Sequence, residues 1–233
     1  MTSALQAVIF DFDGVIADSE PLHFRAFQQA LAEDALELTP KLYYSRYLGY
    51  DDVGMFQAFA EDHGVAMDAA RVAELVARKG AKLQAMLSAG SVLFPGAVDF
   101  VRAAATAVPI AIASGALRHE IDEVVLAAGV AGLFSAIVAS GDTPESKPSP
   151  APYRLAFDRL QETSGTPLEP ARCVAIEDSR WGLESARGAG LRCVAVTNSY
   201  PADELTGAEL IVSGLKELTL DALDRLCSGA RRT

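Results

Sequence analysis

The sequence is short of cysteine, histidine and tryptophan, and it contains no long uninterrupted apolar run. Its 233 residues include three cysteines, three histidines and one tryptophan. The cysteines, Cys173, Cys193 and Cys227, form no Cys-x-x-Cys pair, which argues against a structural zinc site and against a disulfide framework. Because no stretch of about eighteen apolar residues is present, the sequence predicts no membrane-spanning helix.

Basic residues are outnumbered by acidic ones. The chain has 20 lysines and arginines against 31 aspartates and glutamates, and its formal net charge is −11. Such a charge disfavours non-specific binding to nucleic acids and to anionic membranes. The first six residues show neither the basic nor the apolar segment of a signal peptide. These features predict a soluble cytoplasmic protein with no nucleic-acid or membrane partner, and we expect a monomer or a weak dimer.

Short apolar segments alternate with helical patterns along most of the chain. Apolar segments without polar alternation indicate strands buried on both faces, and they lie at Ala7–Phe10, Pro109–Ala113, Ala136–Ala139, Cys173–Ile176, Cys193–Val196 and Leu210–Val212. Helices are predicted between them, at Ala97–Ala107, Arg118–Ala128, Pro150–Glu162, Ser179–Ala189 and Leu215–Leu226. This order predicts an α/β fold with a doubly wound parallel sheet, in which ligands bind beyond the carboxyl ends of the strands.

One long segment interrupts the alternation of strands and helices. Between about Ser19 and Ser91 there are only amphipathic helical patterns, at Leu22–Leu31, Asp51–His63 and Asp68–Leu87. The alternation resumes after Leu93-Phe94-Pro95-Gly96, where proline and glycine punctuate the chain. We therefore predict a helical domain at residues 18–91, inserted into a Rossmann-like core of residues 1–17 and 92–233, and we expect it to act as a lid.

Two carboxylates one residue apart follow the first predicted strand, in Asp11-Phe12-Asp13-Gly14. If the extended backbone continues, both side chains face the same way, and two anions that close need a cation, a proton or a hydrogen-bond donor. Such a pair alone is also typical of a turn or a helix cap. A calcium-binding EF-hand loop is excluded, because Ile16 and Leu22 stand where that loop needs glycine and glutamate.

The later strand ends carry a hydroxyl, a lysine and two more acids. Ser114-Gly115-Ala116 offers an oxygen and backbone N–H groups that suit a phosphate, although serine is also a common helix N-cap. Lys147 precedes a predicted helix and Glu177-Asp178 ends a strand, and these also fit a surface lysine and acids at a helix start. Because the carboxyl ends of parallel strands meet at one edge of a sheet, the whole set predicts a Mg²⁺ site beside a phosphoryl-binding site.

Taken in order, these motifs resemble those of the haloacid dehalogenase superfamily, in the branch with a helical cap after the first strand. This branch includes β-phosphoglucomutase-like and phosphoglycolate phosphatase-like members, and the matching segments are Asp11-Phe12-Asp13-Gly14-Val15, Ser114-Gly115, Lys147-Pro148 and Glu177-Asp178. The resemblance implies that Asp11 is the nucleophile and forms an aspartyl-phosphate, and that Asp13 is the general acid and base.

The same resemblance implies the remaining members of the site. Ser114 and Lys147 would hold the phosphoryl group, with Gly115 and Ala116 as further substrate-binding residues. The implied Mg²⁺ ligands are the Asp11 carboxylate, the Asp13 main-chain carbonyl, Asp178 and Glu177, the last either directly or from outside the ligand shell. The presence of Asp13 favours phosphate ester chemistry over cleavage of carbon–halogen or carbon–phosphorus bonds.

Four residues of the predicted cap bear on the substrate. His23 and Lys79 match residues that contribute to substrate gating in the resembling mutases, although a partly buried helix residue and a solvated lysine are equally plain interpretations. Where those mutases present an arginine to a second phosphate, this sequence has Asp52, which cannot replace a guanidinium. Arg46 is the candidate that would compensate.

The resemblance therefore predicts a Mg²⁺-dependent phosphomonoester hydrolase that acts on a small phosphorylated metabolite, such as a sugar phosphate or phosphoglycolate. A phosphomutase of the β-phosphoglucomutase type is the alternative, because it would use the same aspartyl-phosphate. A third hypothesis is a non-catalytic phosphate-binding protein, and the intact set of motifs argues against it.

Overall fold

The computed structural model describes residues 3–87 and 92–229, and these residues divide into two compact units. One unit contains the described residues up to Asp18 and from 92 onward, and the other contains those from Ser19 to Leu87. The predicted domain boundary at residue 91 lies outside the described residues. Within the described ranges, no helix combines the length and the apolar character needed to cross a bilayer.

The larger unit is built on a parallel sheet. Its strands β1 to β6 are Ala7–Phe10, Ile110–Ala113, Phe134–Val138, Cys173–Glu177, Arg192–Val196 and Leu210–Val212. They lie in the order β3-β2-β1-β4-β5-β6, and each neighbouring pair is parallel. Every residue of β1, β2 and β4 is buried, which explains why these segments show no polar alternation. The predicted parallel α/β sheet is confirmed.

Helices of the larger unit cover both faces of this sheet. In chain order the helices α1 to α9 are Glu20–Ala32, Pro40–Leu42, Asp52–His63, Ala69–Leu87, Ala97–Ala107, Arg118–Ala127, Ala151–Thr163, Arg180–Gly188 and Leu220–Cys227. Successive strand residues point to opposite faces: Ile9 joins a buried cluster with Tyr153 of α7 and Leu183 of α8. On the other face, Phe10 packs edge-to-face against Phe100 of α5, with ring centroids 6.1 Å apart.

The last helix begins later than the sequence predicts. Leu215–Glu217 forms a separate 3₁₀ turn, and α9 begins at Leu220 instead of at Leu215. The Thr219 side chain accepts the N–H of Ala222, and this N-cap starts a new helix because it satisfies a backbone donor that has no partner within the first turn. The amphipathic pattern continues across the break and therefore does not reveal it.

The smaller unit is helical and lies between β1 and β2 in the chain. It contains α1 to α4 and a π-helical turn at Tyr43–Tyr47. Its buried core is rich in aromatic side chains, among them Phe27, Tyr43, Phe56 and Phe59. The sequence predicts α1, α3 and α4 but not the turns between residues 40 and 47, because segments this short show no helical period.

Candidate active site

The candidate active site lies at the carboxyl ends of β1 and β4, in the middle of the sheet. From β1 the chain proceeds to β2 and β3 on one side, whereas β4 to β6 lie on the other side, and such a switch point leaves a crevice for ligands. Phe10 pairs with Ile176, and the Asp11 N–H donates to the Ile176 carbonyl at 2.9 Å. The register of the sheet therefore brings Asp11 next to Glu177, which is 166 positions away in the numbering.

Lys147 is the cation that meets these acids. Its Nζ lies 2.9 Å from Asp11 Oδ1 and 2.6 Å from Glu177 Oε1, and its side chain is 14% exposed. The interpretation of Lys147 as a solvated surface charge is therefore wrong. Burial alone would lower the pKa of Lys147, but the charges of Asp11 and Glu177 outweigh it and raise this pKa above its usual value. The side chain is held as an ammonium ion.

Asp11, Glu177 and Asp178 form a buried acidic cluster, in which one oxygen from each carboxylate lies within 4.8 Å of the others. Burial and then the charge of Glu177 raise the pKa of Asp11 to about 7, although Lys147 opposes this rise. Burial and then the charge of Asp11 raise the pKa of Asp178 well above its usual range. The cluster has more negative charge than Lys147 can balance, so it favours a further cation, and its hard oxygen donors suit Mg²⁺.

Glu177 differs from the other two acids because neighbouring donors bind both of its oxygens. Oε1 accepts hydrogen bonds from Lys147 at 2.6 Å and from the Tyr153 hydroxyl at 2.8 Å. Oε2 accepts the hydroxyl of Ser179 at 3.1 Å. A side chain at Gly182 would overlap the Glu177 carboxylate, so α8 approaches this closely only with glycine there. Glu177 is thereby fixed as a partner of Lys147.

The backbone turns immediately after β1, so Asp11 and Asp13 do not share one face of a continuing strand. The strand ends at Phe10, the Phe12 N–H donates to Asp11 Oδ1 at 2.7 Å, and the Phe12 carbonyl accepts the N–H of Ile16. The extended geometry considered for the pair is therefore wrong. Asp13 still raises the pKa of Asp11, more weakly than burial does, so the two carboxylates interact electrostatically.

Ser114 lies at the same edge of the sheet, directly after β2. Its N–H donates to the Val138 carbonyl at 2.9 Å, and its hydroxyl oxygen accepts the Ala116 N–H at 3.0 Å. The Ala116 N–H expected to bind a phosphate is thus engaged within the loop. A Cβ placed on Gly115 would meet no atom within 4 Å, so the backbone there faces open space.

The candidate substrate residues of the helical unit separate into two groups. Lys79 is 1% exposed, and its Nζ lies 2.8 and 3.0 Å from the Asp52 oxygens and 3.0 Å from His23 Nδ1. The interpretation of Lys79 as a solvated lysine is therefore wrong. Burial and the charge of Lys79 lower the pKa of His23 to about 3, so the imidazole is neutral at pH 7. Arg46 instead forms an ion pair with Asp62 at 3.0 Å.

Three residues next to the acidic cluster have no predicted role. Tyr153 follows the apolar pattern of α7 and gives no signal in the sequence beyond that of a core residue. Asn198 and Ser199 follow β5 closely, and the rule that singles out polar residues at strand ends would have found them. The Ser199 hydroxyl donates to the Asp178 carboxylate, and the Asn198 amide donates to the Gly14 carbonyl at 2.7 Å.

Known proteins resemble this chain in sequence and in fold. A family model described as haloacid dehalogenase-like hydrolase matches residues 5–190. Protein CbbY from Rhodobacter capsulatus is 30% identical over 230 residues, which cover 95% of this chain and 99% of that protein. Phosphoglycolate phosphatase from Yersinia pseudotuberculosis is 29% identical over 202 residues, covering 84% and 83%. The crystal structure of a CbbY mutant from Rhodobacter sphaeroides in complex with xylulose-(1,5)bisphosphate matches with a TM-score of 0.83 and 28% identity, covering 94% and 99%.

Proposed function

We propose that this chain, which belongs to the haloacid dehalogenase-like hydrolase family, is a Mg²⁺-dependent phosphatase that acts on small phosphorylated metabolites through Asp11. The family match confirms the resemblance drawn from the four motifs. The contact between Lys147 and Asp11 within the buried acidic cluster carries the proposal, because phosphoryl transfer needs a positioned nucleophile and cations for the phosphoryl oxygens. The similarity to a phosphoglycolate phosphatase supports a phosphate ester as substrate.

A magnesium ion fits the donor set of this cluster. Asp11 and Asp178 would hold it through carboxylate oxygens, and Asp13 would hold it through its main-chain carbonyl. Glu177 would act through Lys147, because its oxygens already accept hydrogen bonds from within the protein. When bound, the ion stabilises the negative charge of the transferred phosphoryl group.

The chain's own residues perform the two displacements. An oxygen of Asp11 forms a bond to phosphorus while the ester P–O bond breaks, and Asp13 gives its proton to the departing alcohol oxygen. A water oxygen then attacks phosphorus as Asp13 takes the water's proton, and the bond to Asp11 breaks to release inorganic phosphate. Lys147 balances the charge of the phosphoryl oxygens, with Ser114 and the Gly115 backbone as adjacent donors.

A screen of phosphorylated metabolites with Mg²⁺, scored as kcat/KM, tests the proposed function. The panel contains phosphoglycolate, sugar monophosphates and sugar bisphosphates, because the CbbY structure holds a sugar bisphosphate. We expect release of inorganic phosphate from at least one member with kcat/KM of about 10⁴ M⁻¹s⁻¹ or more. If no member of the panel releases phosphate, the proposal is contradicted.

Asp52 argues against the alternative activity of a phosphomutase. Both of its oxygens pair with Lys79, so the position that carries an arginine in the resembling mutases carries a neutralised ion pair here. A mutase incubated with β-glucose 1-phosphate and a bisphosphate primer would form glucose 6-phosphate. We expect free phosphate, or no reaction with this substrate.

Metal binding is expected to weaken as the pH falls below about 7. The pKa of Asp11 is raised to about 7 by burial, so protons compete with Mg²⁺ for this carboxylate in mildly acidic solution. The dissociation constant for Mg²⁺ should rise about tenfold per pH unit for each proton displaced, and Asp178, whose pKa is also raised, can release a second proton. Isothermal titration calorimetry between about pH 5.5 and 8 measures this slope, and a constant affinity across that range would contradict it.

Removal of the metal gives a second check on the same site. EDTA should abolish turnover, and added Mg²⁺ should restore it. Turnover that is undisturbed by EDTA would count against a metal-dependent reaction, whatever the pH dependence of binding.

Asp13→Asn is expected to lower kcat by about 10²-fold or more, because an amide cannot transfer the proton that the ester oxygen needs. The leaving group of an aryl phosphate needs little protonation. In this variant kcat should therefore fall less with an aryl phosphate than with an alkyl phosphate. Equal losses for the two substrates would remove Asp13 from the role of general acid.

The helical unit is proposed to select the substrate. His23→Ala should change the ratio of kcat/KM between two phosphorylated sugars by about tenfold while the affinity for Mg²⁺ stays constant. His119→Ala, which alters an exposed histidine of α6, is the matched control. A larger effect on metal affinity than on substrate preference would contradict this role, as would no effect on preference.

A cytoplasmic location is part of the proposal. Cys173, Cys193 and Cys227 are buried free thiols. Burial raises the pKa of Cys173 and Cys193 to about 12 and that of Cys227 to about 11. Unpaired, unreactive thiols of this kind suit a reducing compartment.

The oligomeric state, a monomer or a weak dimer, stays a prediction. Analytical ultracentrifugation of the purified protein tests it.

A further inference from the structure

The loop that follows β5 reaches the acidic cluster from a strand with no assigned role. β5 ends at Val196 and is the neighbour of β4, so the loop emerges beside the segment that carries Asp178. Ser199 Oγ donates a hydrogen bond to Asp178 Oδ2. Asn198 Nδ2 donates to the Gly14 carbonyl at 2.7 Å. Two adjacent side chains of one loop thus bind the segments that follow β4 and β1.

Gly14 shows how closely these segments approach one another. Its φ is +76°, in the left-handed region that favours glycine. A Cβ on Gly14 would overlap the Asp178 carboxylate and would lie 2.9 Å from Ser199 Oγ. The Asp178 carboxylate is therefore enclosed between the turn after β1 and the hydroxyl of Ser199.

We propose that Ser199 and Asn198 are positioning residues of the acidic centre, a role that rests on the proposed Mg²⁺-dependent function. Ser199 fixes the orientation of the Asp178 carboxylate. Asn198 fixes the Gly14 carbonyl and thereby the adjoining main chain of Asp13. Neither residue needs to touch the substrate, because each acts through a group that would hold the metal.

The effect of Ser199 is on the freedom of Asp178. A hydroxyl bound to one carboxylate oxygen restricts rotation of the carboxylate. Without the hydroxyl, metal binding has to restrict that rotation itself, at an entropic cost. The loss therefore falls on metal affinity, and saturating metal compensates for it.

Binding of Mn²⁺ to the full chain, followed by electron paramagnetic resonance of the free ion, tests this role without relying on activity. Ser199→Ala should raise the dissociation constant for Mn²⁺ about tenfold or more, the usual scale for a residue that orients a metal ligand. Ser199→Thr keeps a hydroxyl and should bind close to wild type. Asn198→Ala should weaken binding in the same direction.

Ser3→Ala is the matched control. The Ser3 hydroxyl donates to the Asp224 carboxylate at 2.7 Å, which is the same kind of hydrogen bond, and Ser3 precedes β1 at the opposite end of that strand. Its removal should leave Mn²⁺ affinity unchanged. Urea unfolding of each variant shows whether it is folded under the conditions in which Mn²⁺ binding is measured.

The outcomes separate this inference from the proposed function. A raised dissociation constant in Ser199→Ala, with kcat at saturating Mg²⁺ close to wild type and with recovery in Ser199→Thr, supports it. Wild-type affinity in both Ser199→Ala and Asn198→Ala overturns it and leaves the phosphatase proposal intact. A lower kcat at saturating metal with unchanged affinity also overturns it. A wild-type chain that binds no divalent cation would overturn the metal-dependent function and this inference together.

Discussion

Asp11→Asn is expected to reduce kcat by about 10⁴-fold or more, the scale seen when a nucleophile is removed. The amide has the size of the carboxylate but cannot form the aspartyl-phosphate. The fold should persist, because the lost pairing with Lys147 is offset by removal of a charge that is repelled by Glu177. Steady-state kinetics on the best substrate of the metabolite screen gives the effect, and urea unfolding checks the fold.

Acid quenching adds a direct test of the covalent intermediate. The wild-type chain mixed with a ³²P-labelled substrate should retain label on the protein, and Asp11→Asn should retain none. Asp122→Asn is the matched control, because Asp122 is a half-exposed aspartate of α6 that pairs with Arg118, and it should behave as wild type. An Asp11→Asn variant with the wild-type kcat would refute the nucleophile assignment.

Lys147→Met should produce the largest loss of stability among these variants. Its ammonium lies against Asp11 and Glu177, and removal of one partner from a buried ion pair costs about 3–5 kcal/mol. The free energy of unfolding in urea, measured without metal at about pH 8, should fall by this order. Lys216→Met, at an exposed lysine, should leave it unchanged.

The loss caused by Lys147→Met should depend on pH in a definite direction. The pKa of Asp11 in the folded wild-type chain is raised to about 7, and without the lysine it is higher still. A carboxyl group whose folded pKa exceeds its unfolded pKa stabilises the fold at low pH, and that stability is lost as the pH rises through the folded value. The difference between variant and wild type should therefore be larger above about pH 7, where the pairings with both Asp11 and Glu177 are lost, than near pH 5. An equal difference at both pH values would contradict this electrostatic account.

The grouping of residues at the strand ends could be predicted from the sequence because it follows from the topology of a parallel sheet. Uninterrupted apolar segments such as Val174–Ile176 mark strands that are buried on both faces. Parallel strands place their carboxyl ends at one edge, so Asp11, Lys147 and Glu177 could be grouped although they are far apart in the chain. No distance was needed for that grouping, and the structure brings these three side chains into contact.

The contacts that individual side chains make could not be predicted from the sequence. Lys79 follows a helical pattern that fits a solvated face, yet it is buried against Asp52 and His23. Extended geometry was assumed after β1, yet the backbone turns at Phe12. Each of these contacts depends on distances of a few ångströms between distant segments of the chain. Neither the hydrophobic periodicity nor the spacing of residues in the sequence contains those distances.

The order of strands and helices and the edge that carries the acids follow from this amino-acid sequence, because the pattern of apolar residues reflects which faces of each element are buried. Packing assigned Glu177 to Lys147 and Tyr153, brought Ser199 to Asp178, and divided the predicted last helix at Thr219. These contacts arise where separate elements meet, and a hydrogen bond is made or lost within about half an ångström.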